Sequence, residues 1–245
     1  MKPETLPVLI LATLLVFCLL SSCSQDKVSI ETYNVMYNHL SQVWAQSLAH
    51  ADAEIAFYGD SRVIGADWYG AYPDSKVVNL GIGGDKTQDL ITRLCQIEAL
   101  VKNGNLKYCF LAIGGNDCMS DRFDSSVFRS EYDELLSGLQ ALGLTVYVNT
   151  VAGITDEGTS VSARTSRLVN GRMKEANGII MDLAALHGMT VIDMAALMDN
   201  PDGRLKSEYS SPDGVHFSDA GNRIWYDTLK PFIDSASSAP DMYVI

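Results

Sequence analysis

The sequence predicts an α/β protein in which a five-stranded parallel sheet carries helices on both faces. Five short runs of apolar, β-prone residues are bounded by turn residues, and runs that are apolar on both faces are typical of buried parallel strands. Amphipathic helical patterns separate most of these runs, and a strand–helix–strand alternation implies a parallel sheet between helical layers. The length of 245 residues suits a single domain of this class.

The strands and helices follow along the chain from the positions of the apolar residues. The strands are predicted at residues 54–58, 77–80, 107–113, 145–149 and 190–192. Apolar residues spaced three and four apart predict helices whose stripes run over residues 30–44, 90–101, 128–142, 168–186 and 224–232. We interpret these stripes as core, because each would pack on the sheet.

The composition and charge exclude several classes of protein. With 47% hydrophobic and 20% charged residues, the chain is not expected to be disordered, collagen-like or a coiled coil. Asp and Glu number 30 against 18 Lys and Arg, which gives a net charge of -12. A surface this acidic repels phosphate, so we expect neither nucleic-acid binding nor a basic patch that adsorbs to anionic lipid.

The N-terminus has the features of a sorting signal. Residues 6–20 are almost wholly apolar, but this run is shorter than the roughly 20 residues that a spanning helix needs. The sequence L-S-S-C at residues 20–23 resembles the lipobox of bacterial lipoproteins. The resemblance implies a signal peptide over residues 1–22 and a lipid anchor on Cys23, hence a membrane-anchored protein of a bacterial cell envelope, periplasmic or at the cell surface. An uncleaved short anchor is the alternative.

The remainder divides into an N-terminal linker and helix at residues 23–50, a folded domain at 51–236 and a C-terminal tail at 237–245. Three cysteines lie within the domain, an odd number without a C-x-x-C motif. Free thiols are favoured there, and a disulfide between two of them stays open. These cysteines are Cys95, Cys109 and Cys118.

Four motifs lie at predicted strand ends or in a loop before the last helix, where parallel sheets bind ligands. They are G-D-S at residues 59–61, the glycine-rich stretch 79–87, G-G-N-D at 114–117 and D-G-V-H at 213–216. The glycine-rich stretch fits neither G-x-G-x-x-G nor G-x-x-x-x-G-K-[ST], so it carries no nucleotide fingerprint. Each motif alone also fits an ordinary turn or cap, and the prediction depends on their occurring together.

The order and placement of these motifs resemble the SGNH hydrolases, also called the GDSL esterase family, over about residues 54–233. The family's four blocks fall on Ser61, Gly84, Asn116 and His216. The glycine-rich stretch looks most like the platelet-activating-factor acetylhydrolase catalytic subunits and related bacterial acyl-esterases. The resemblance implies a three-layer α/β/α sandwich, the flavodoxin-like fold of SGNH hydrolases.

The resemblance and the residue types indicate the same chemistry. Ser61 would attack an ester carbonyl, His216 would take its proton, and Asp213 would fix the imidazole tautomer. The oxyanion would bind the N–H groups of Ser61 and Gly84 and the side-chain amide of Asn116. No cofactor and no metal are expected, since no H-E-x-x-H motif or Cys/His cluster occurs. Activity should rise through about pH 6 to 7, because an unperturbed histidine titrates near 6.5.

The substrate is less well defined by the sequence. Only about one helix separates Asn116 from the fourth predicted strand, so no long lid is evident, and we expect short-chain acyl esters, O-acetyl groups of carbohydrates above all. Phospholipid or lysophospholipid acyl hydrolysis is the alternative, and transfer of the acyl group to an alcohol stays open. A non-catalytic envelope binding module would need to have lost a catalytic residue, and none is lost. The α/β-hydrolase elbow G-x-S-x-G is absent, because position 63 is Val63.

Overall fold

The computed structural model describes residues 50–103 and 105–238, together with Ser41, Ala45 and Ser47. Within them, five parallel strands form one sheet in the order β2-β1-β3-β4-β5. The strands are β1 (Ile55–Gly59), β2 (Val77–Gly81), β3 (Tyr108–Ala112), β4 (Thr145–Asn149) and β5 (Thr190–Ile192). The predicted five-stranded parallel sheet is therefore confirmed, and the bounds of each strand shift by one residue at most.

Nine helices lie between residues 50 and 238 of the described chain. They are α1 (Ser61–Ile64), α2 (Trp68–Ala71), α3 (Thr87–Thr92), α4 (Leu94–Lys102), α5 (Gly115–Met119), α6 (Ser125–Ala141), α7 (Ala163–Leu186), α8 (Met194–Met198) and α9 (Asp219–Ser238), with a 3₁₀ turn at Ser207–Tyr209. The sequence did not predict α1, α2, α5 and α8, because four or five residues are too few to show a helical period. The predicted helix over residues 30–44 lies almost wholly outside the described residues.

Helices cover both faces of the sheet, as the predicted α/β/α sandwich requires. Alternate residues of β1 point to opposite faces. Ala56 and Tyr58 pack in a cluster with α3, α4, α6 and α7. Ile55 and Phe57 pack in a second cluster with α2, α8 and α9, where the Phe57 ring stacks on Trp68 at 3.8 Å between centroids. Both clusters are apolar, so the sheet is buried on both sides.

Two of the predicted core stripes need correction. The stripe over residues 90–101 is two helices, α3 and α4, which are separated at Arg93. In α7, Leu168 and Leu186 are 54% and 75% exposed, so the prediction that they are core is wrong. The buried face of α7 includes apolar residues spaced four and three apart: Val169, Met173, Ala176, Ile180 and Leu183.

Two cysteines of the domain, Cys109 and Cys118, are free thiols. Cys95 is exposed, whereas Cys109 and Cys118 are buried. Burial raises the pKa of each buried thiol to about 12, so both stay protonated at neutral pH. None of the helices in the described part of the chain is long and apolar enough to cross a bilayer.

The register of the sheet determines where the motifs meet. Gly59 of β1 lies opposite Gly81 of β2 on one side and Ala112 of β3 on the other. The three strands thus end at the same level, and their following loops leave from one edge. Ser61, Gly84 and Asn116 therefore follow three adjacent strand ends.

Candidate active site

Ser61 lies at a tight turn between β1 and α1. The Asp60 carboxylate accepts a hydrogen bond from the Arg62 amide at 3.0 Å and so caps the helix that begins at Ser61. Gly59 admits no side chain, because a Cβ there would lie 2.1 Å from the Ala112 carbonyl oxygen. This close packing fixes the start of α1 against the sheet and leaves Ser61 partly exposed at its edge.

A chain of hydrogen bonds joins Ser61 to the loop before α9. His216 Nε2 is 2.9 Å from Ser61 Oγ, and His216 Nδ1 is 2.6 Å from Asp213 Oδ2. The other oxygen of Asp213 accepts from the amides of Val215 and His216 at 2.8 and 2.9 Å and from Ser211 Oγ at 2.7 Å. The three residues that the sequence singled out on these two motifs are thus in direct contact.

The carboxylate of Asp213 is held in its ionised form. Partial burial raises its pKa, but hydrogen bonds from the His216 side chain and amide, the Val215 amide and Ser211 outweigh it. Together they bring the pKa of Asp213 well below its usual range. An ionised carboxylate at Nδ1 requires a proton on that nitrogen, which leaves Nε2 to accept a proton from Ser61.

The other two motifs lie beside the serine. Gly84 has a φ of 87°, a left-handed conformation that favours glycine. Its neighbour Gly83 passes close to Ser61, since a Cβ built there would lie 3.9 Å from Ser61 Cβ. Asn116 Nδ2 donates to the main-chain carbonyl of Asp85 at 2.9 Å. Because an amide nitrogen carries two N–H groups, this bond orients the side chain while using one of them.

A buried ion pair that sequence reasoning missed lies under the glycine-rich loop. Arg93 Nε is 2.8 Å from Asp85 Oδ2, and both side chains are less than a tenth exposed. The same guanidinium donates to the carbonyls of Leu80 at 2.8 Å and Gly59 at 2.9 Å, and it lies over the Tyr58 ring. The pair thus joins the ends of β1 and β2 to the loop whose carbonyl orients the Asn116 amide.

Arg62, which directly follows the serine, was also missed. Its guanidinium donates to the Val215 carbonyl at 3.1 and 2.8 Å, to the Ala152 carbonyl at 2.7 Å and to the Gly153 carbonyl at 2.8 Å. It also lies over the Phe217 ring, 4.6 Å from the centroid. Burial lowers the pKa of this guanidinium. Contacts with main-chain carbonyls leave no pattern in a sequence, so no motif could have indicated them.

Asp117 links two of the motifs. Both oxygens of its carboxylate accept from the Thr87 amide at 3.2 Å, so α5, which carries Asn116, is joined to the first turn of α3. Burial raises the pKa of Asp117 to about 6, although the bond from Thr87 lowers it. The role is structural, since the hydrogen-bond chain to His216 already contains its own carboxylate.

Two cavities lie near this edge of the sheet. One of about 30 Å³ lies behind the serine, with Asp60, Arg62 and Gly115 in its wall, and is large enough for a water molecule. The other, about 720 Å³, lies between α7 and residues 193–204 and is lined by none of the four motifs. Among the described residues, no group of three or more His, Cys, Asp or Glu side chains could hold a metal ion.

The arrangement has the parts that acyl transfer through a serine needs. A serine hydroxyl bonded to an imidazole, which is itself held by an ionised carboxylate, can act as a nucleophile. Amide donors on neighbouring strand ends can stabilise the negative charge that develops on a carbonyl oxygen. The fold and the site together define a class of ester-cleaving α/β proteins.

The sequence profile of the GDSL-like lipase/acylhydrolase family matches residues 39–224. The chain therefore belongs to this family and is an ester hydrolase of the GDSL type. The matched stretch contains all four motifs, so the family resemblance expected from them is confirmed. No curated protein sequence matches the chain.

Solved structures share the fold at low sequence identity. A Streptococcus pneumonia protein, provisionally described as a platelet activating factor, superposes with a TM-score of 0.66 at 20% identity, over 84% of this chain and 99% of that one. A GDSL-like lipase from Bacteroides thetaiotaomicron gives 0.65 at 16% identity, over 82% and 97%. An acetyl xylan esterase, AlAXEase, gives 0.58 at 23% identity, over 73% and 98%. At these identities the likeness concerns the fold.

Proposed function

We propose that the protein is a serine esterase that works through an acyl-enzyme intermediate. The observation that carries the proposal is the continuous hydrogen-bond chain from Ser61 Oγ through His216 to Asp213. Ser61 Oγ attacks the ester carbonyl while His216 Nε2 takes its proton, and Asp213 stabilises the imidazolium that forms. His216 then gives the proton to the leaving alcohol and activates a water molecule that cleaves the acyl-enzyme.

The oxyanion of each tetrahedral intermediate would bind three donors. These are the amides of Ser61 and Gly84 and the side-chain N–H of Asn116 that does not bond to Asp85. The loops that hold these donors are joined beneath the site by the Arg93–Asp85 pair. The donors are therefore in place before the substrate binds, which is the condition for strong electrostatic stabilisation.

The preferred substrate class is short-chain acyl esters, with O-acetyl groups on carbohydrates as the natural target. Two observations support it. The chain between Asn116 and β4 contains only the end of α5, a short loop and α6, so that segment adds no lid to enclose a long acyl chain. An acetyl xylan esterase is among the proteins that share the fold. The function of such a fold depends on its site, so the substrate must be tested directly.

The N-terminal sequence features support an activity that is anchored at a membrane. We propose that residues 1–22 are a signal peptide and that Cys23 receives the lipid anchor, which precedes a hydrolase domain at residues 51–236. The protein would then act in a bacterial cell envelope, periplasmic or at the cell surface, where esters of glycans and of lipids are both within reach. Replacement of Cys23 by Ala should move the protein from the membrane fraction to the soluble fraction.

Turnover of p-nitrophenyl acetate, butyrate and octanoate by the purified protein tests the proposal. We expect kcat/KM to fall as the acyl chain lengthens, and Ser61→Ala to abolish turnover of all three esters. Preference for octanoate would instead support the lipid acylhydrolase, which the GDSL-like lipase among the structural neighbours favours. Full activity of Ser61→Ala would overturn the serine mechanism.

A further inference from the structure

We propose that Arg62 is a positioning residue for this reaction, because its guanidinium holds the loop of His216 against the helix that carries Ser61. The proposal rests on the serine mechanism above and adds a residue to it. In this role Arg62 touches neither substrate nor reacting atoms. It determines how the imidazole meets the hydroxyl.

Arg62 bonds directly to the loop of His216. Arg62 Nε and Nη2 both donate to the Val215 carbonyl, at 3.1 and 2.8 Å. That carbonyl belongs to the peptide unit between Val215 and His216, and a peptide unit is planar and rigid. Its position therefore determines where the Cα of His216 lies. Since Arg62 is the covalent neighbour of Ser61, one side chain connects the backbone of the nucleophile to that of its base.

A second loop, the one after β4, is bonded to Arg62 as well. The guanidinium also donates to the carbonyls of Ala152 and Gly153, at 2.7 and 2.8 Å. This loop contacts the loop of His216 directly, because the Thr155 amide donates to the Gly214 carbonyl at 2.8 Å. Neither loop is helix or strand at these residues, so Arg62 joins two irregular segments to α1.

The loop after β4 is itself held by side chains of α7 and by Asp199. Asn177 exchanges hydrogen bonds with the Val151 amide and carbonyl, and Asn170 does the same with Ile154. The Gly153 amide donates to both oxygens of Asp199 at 2.9 Å. The carbonyls of Ala152 and Gly153, which accept from Arg62, are thus held in place independently of the guanidinium.

The contacts of Arg62 require an arginine in particular. All four hydrogen bonds of the guanidinium go to carbonyl oxygens, and they use its planar fork of donors. A lysine ammonium is a point charge with a different donor geometry and cannot reproduce a bidentate arrangement. The ring of Phe217, which follows His216, packs on the guanidinium face and adds a contact that a planar cation makes best.

The test is the kinetics of Arg62→Met and Arg62→Lys with p-nitrophenyl acetate, well below the thermal midpoint of each variant. We expect kcat to fall by about 100-fold in Arg62→Met, since a displacement of about 1 Å in a catalytic group has that effect. KM should change little, and Arg62→Lys should recover only part of the loss. Arg129→Met is the control, because Arg129 pairs with the exposed Asp182 at 3.6 Å and contacts none of the four motifs. Its kcat should stay at the wild-type value.

Double variants separate positioning from a general loss of structure. In the His216→Ala background, Arg62→Met should not lower kcat further. In the Asn116→Ala background, it should lower kcat by the same factor as in the otherwise unchanged protein. If Arg62→Met folds poorly, Arg62→Lys serves in the same pairs. The proposal would be overturned if Arg62→Met lowered kcat equally in the two backgrounds, or if kcat of Arg62→Met itself were unchanged. Both outcomes leave the serine mechanism intact as long as Ser61→Ala is inactive. Turnover by Ser61→Ala would instead overturn the serine mechanism.

Discussion

The two carboxylate oxygens of Asp213 have different hydrogen-bond partners. Oδ2 faces the imidazole, and Oδ1 accepts three hydrogen bonds from its own loop. The loop amides therefore keep the carboxylate ionised and aimed at the ring before any substrate arrives. A neutral amide at this position would present an N–H or a carbonyl, and only the ionised group favours the imidazolium that forms during catalysis.

Asp213→Asn should lower kcat by about 10⁴-fold with little change in KM, because the imidazole loses its charged partner and its tautomer. Steady-state kinetics with p-nitrophenyl acetate measures both parameters. Asp202→Asn is a suitable control, since Asp202 is an exposed acid that pairs with Arg204 at 2.9 Å. Wild-type kcat in Asp213→Asn would show that another group orients the histidine.

At the scale of elements, the break between α3 and α4 is the feature that the apolar periodicity concealed. A charged residue inside an amphipathic stripe is normally assigned to the solvent face. Arg93 instead turns inward at the break and is 6% exposed. Its guanidinium reaches the ends of two strands and the carboxylate of Asp85, so the break gives the glycine-rich loop a fixed base.

Arg93→Met should lower the free energy of unfolding by about 3–5 kcal/mol, because it removes the buried guanidinium whose charge balances that of Asp85. Urea denaturation measures the change. Adding Asp85→Asn should restore part of the loss. Lys230→Met, which removes an exposed pair with Asp234, should cost no more than about 1 kcal/mol. Equal losses of unfolding free energy in Arg93→Met and Lys230→Met would show that the buried pair stabilises the protein no more than an exposed pair does.

The parts of the molecule that local patterns encode could be predicted from the sequence. Apolar runs indicated all five strands, and the four motifs indicated Ser61, Asp213 and His216, which the fold brings into contact. Arg62 and Arg93 could not be predicted, because their partners are carbonyls that every residue has, brought near by tertiary packing. The buried face of α7 was predicted incorrectly at Leu168 and Leu186, because both fit the spacing of a helical stripe but lie at the surface.

At the scale of the whole molecule, buried carboxylates shape how stability depends on pH. Burial raises the pKa values of Asp117 and Asp199 to about 6, from 3.8. The folded protein therefore binds these protons more tightly than the unfolded chain. Their contribution to stability is complete below about pH 4 and is lost as the pH rises to about 6. The lowered pKa of Asp213 acts in the opposite sense, since its contribution is lost as the pH falls.

Asp117→Asn isolates one of these contributions. Relative to the wild type, the variant should gain up to about 3 kcal/mol in free energy of unfolding between pH 4 and pH 6, since it carries no titrating group there. Urea denaturation at each pH gives the difference. Asp182→Asn, a change at an exposed acid, should show no such trend. A constant difference between Asp117→Asn and the wild type would mean that Asp117 titrates as in the unfolded chain.

The central claim, that His216 activates Ser61 as a nucleophile, is tested most directly by a fluorophosphonate, which phosphonylates an activated serine with loss of fluoride. Peptide mass spectrometry then locates the adduct. We expect one adduct, on Ser61, that forms far more slowly in His216→Ala and not at all in Ser61→Ala. An adduct on another residue, or no adduct while ester turnover continues, would contradict the claim that His216 activates Ser61.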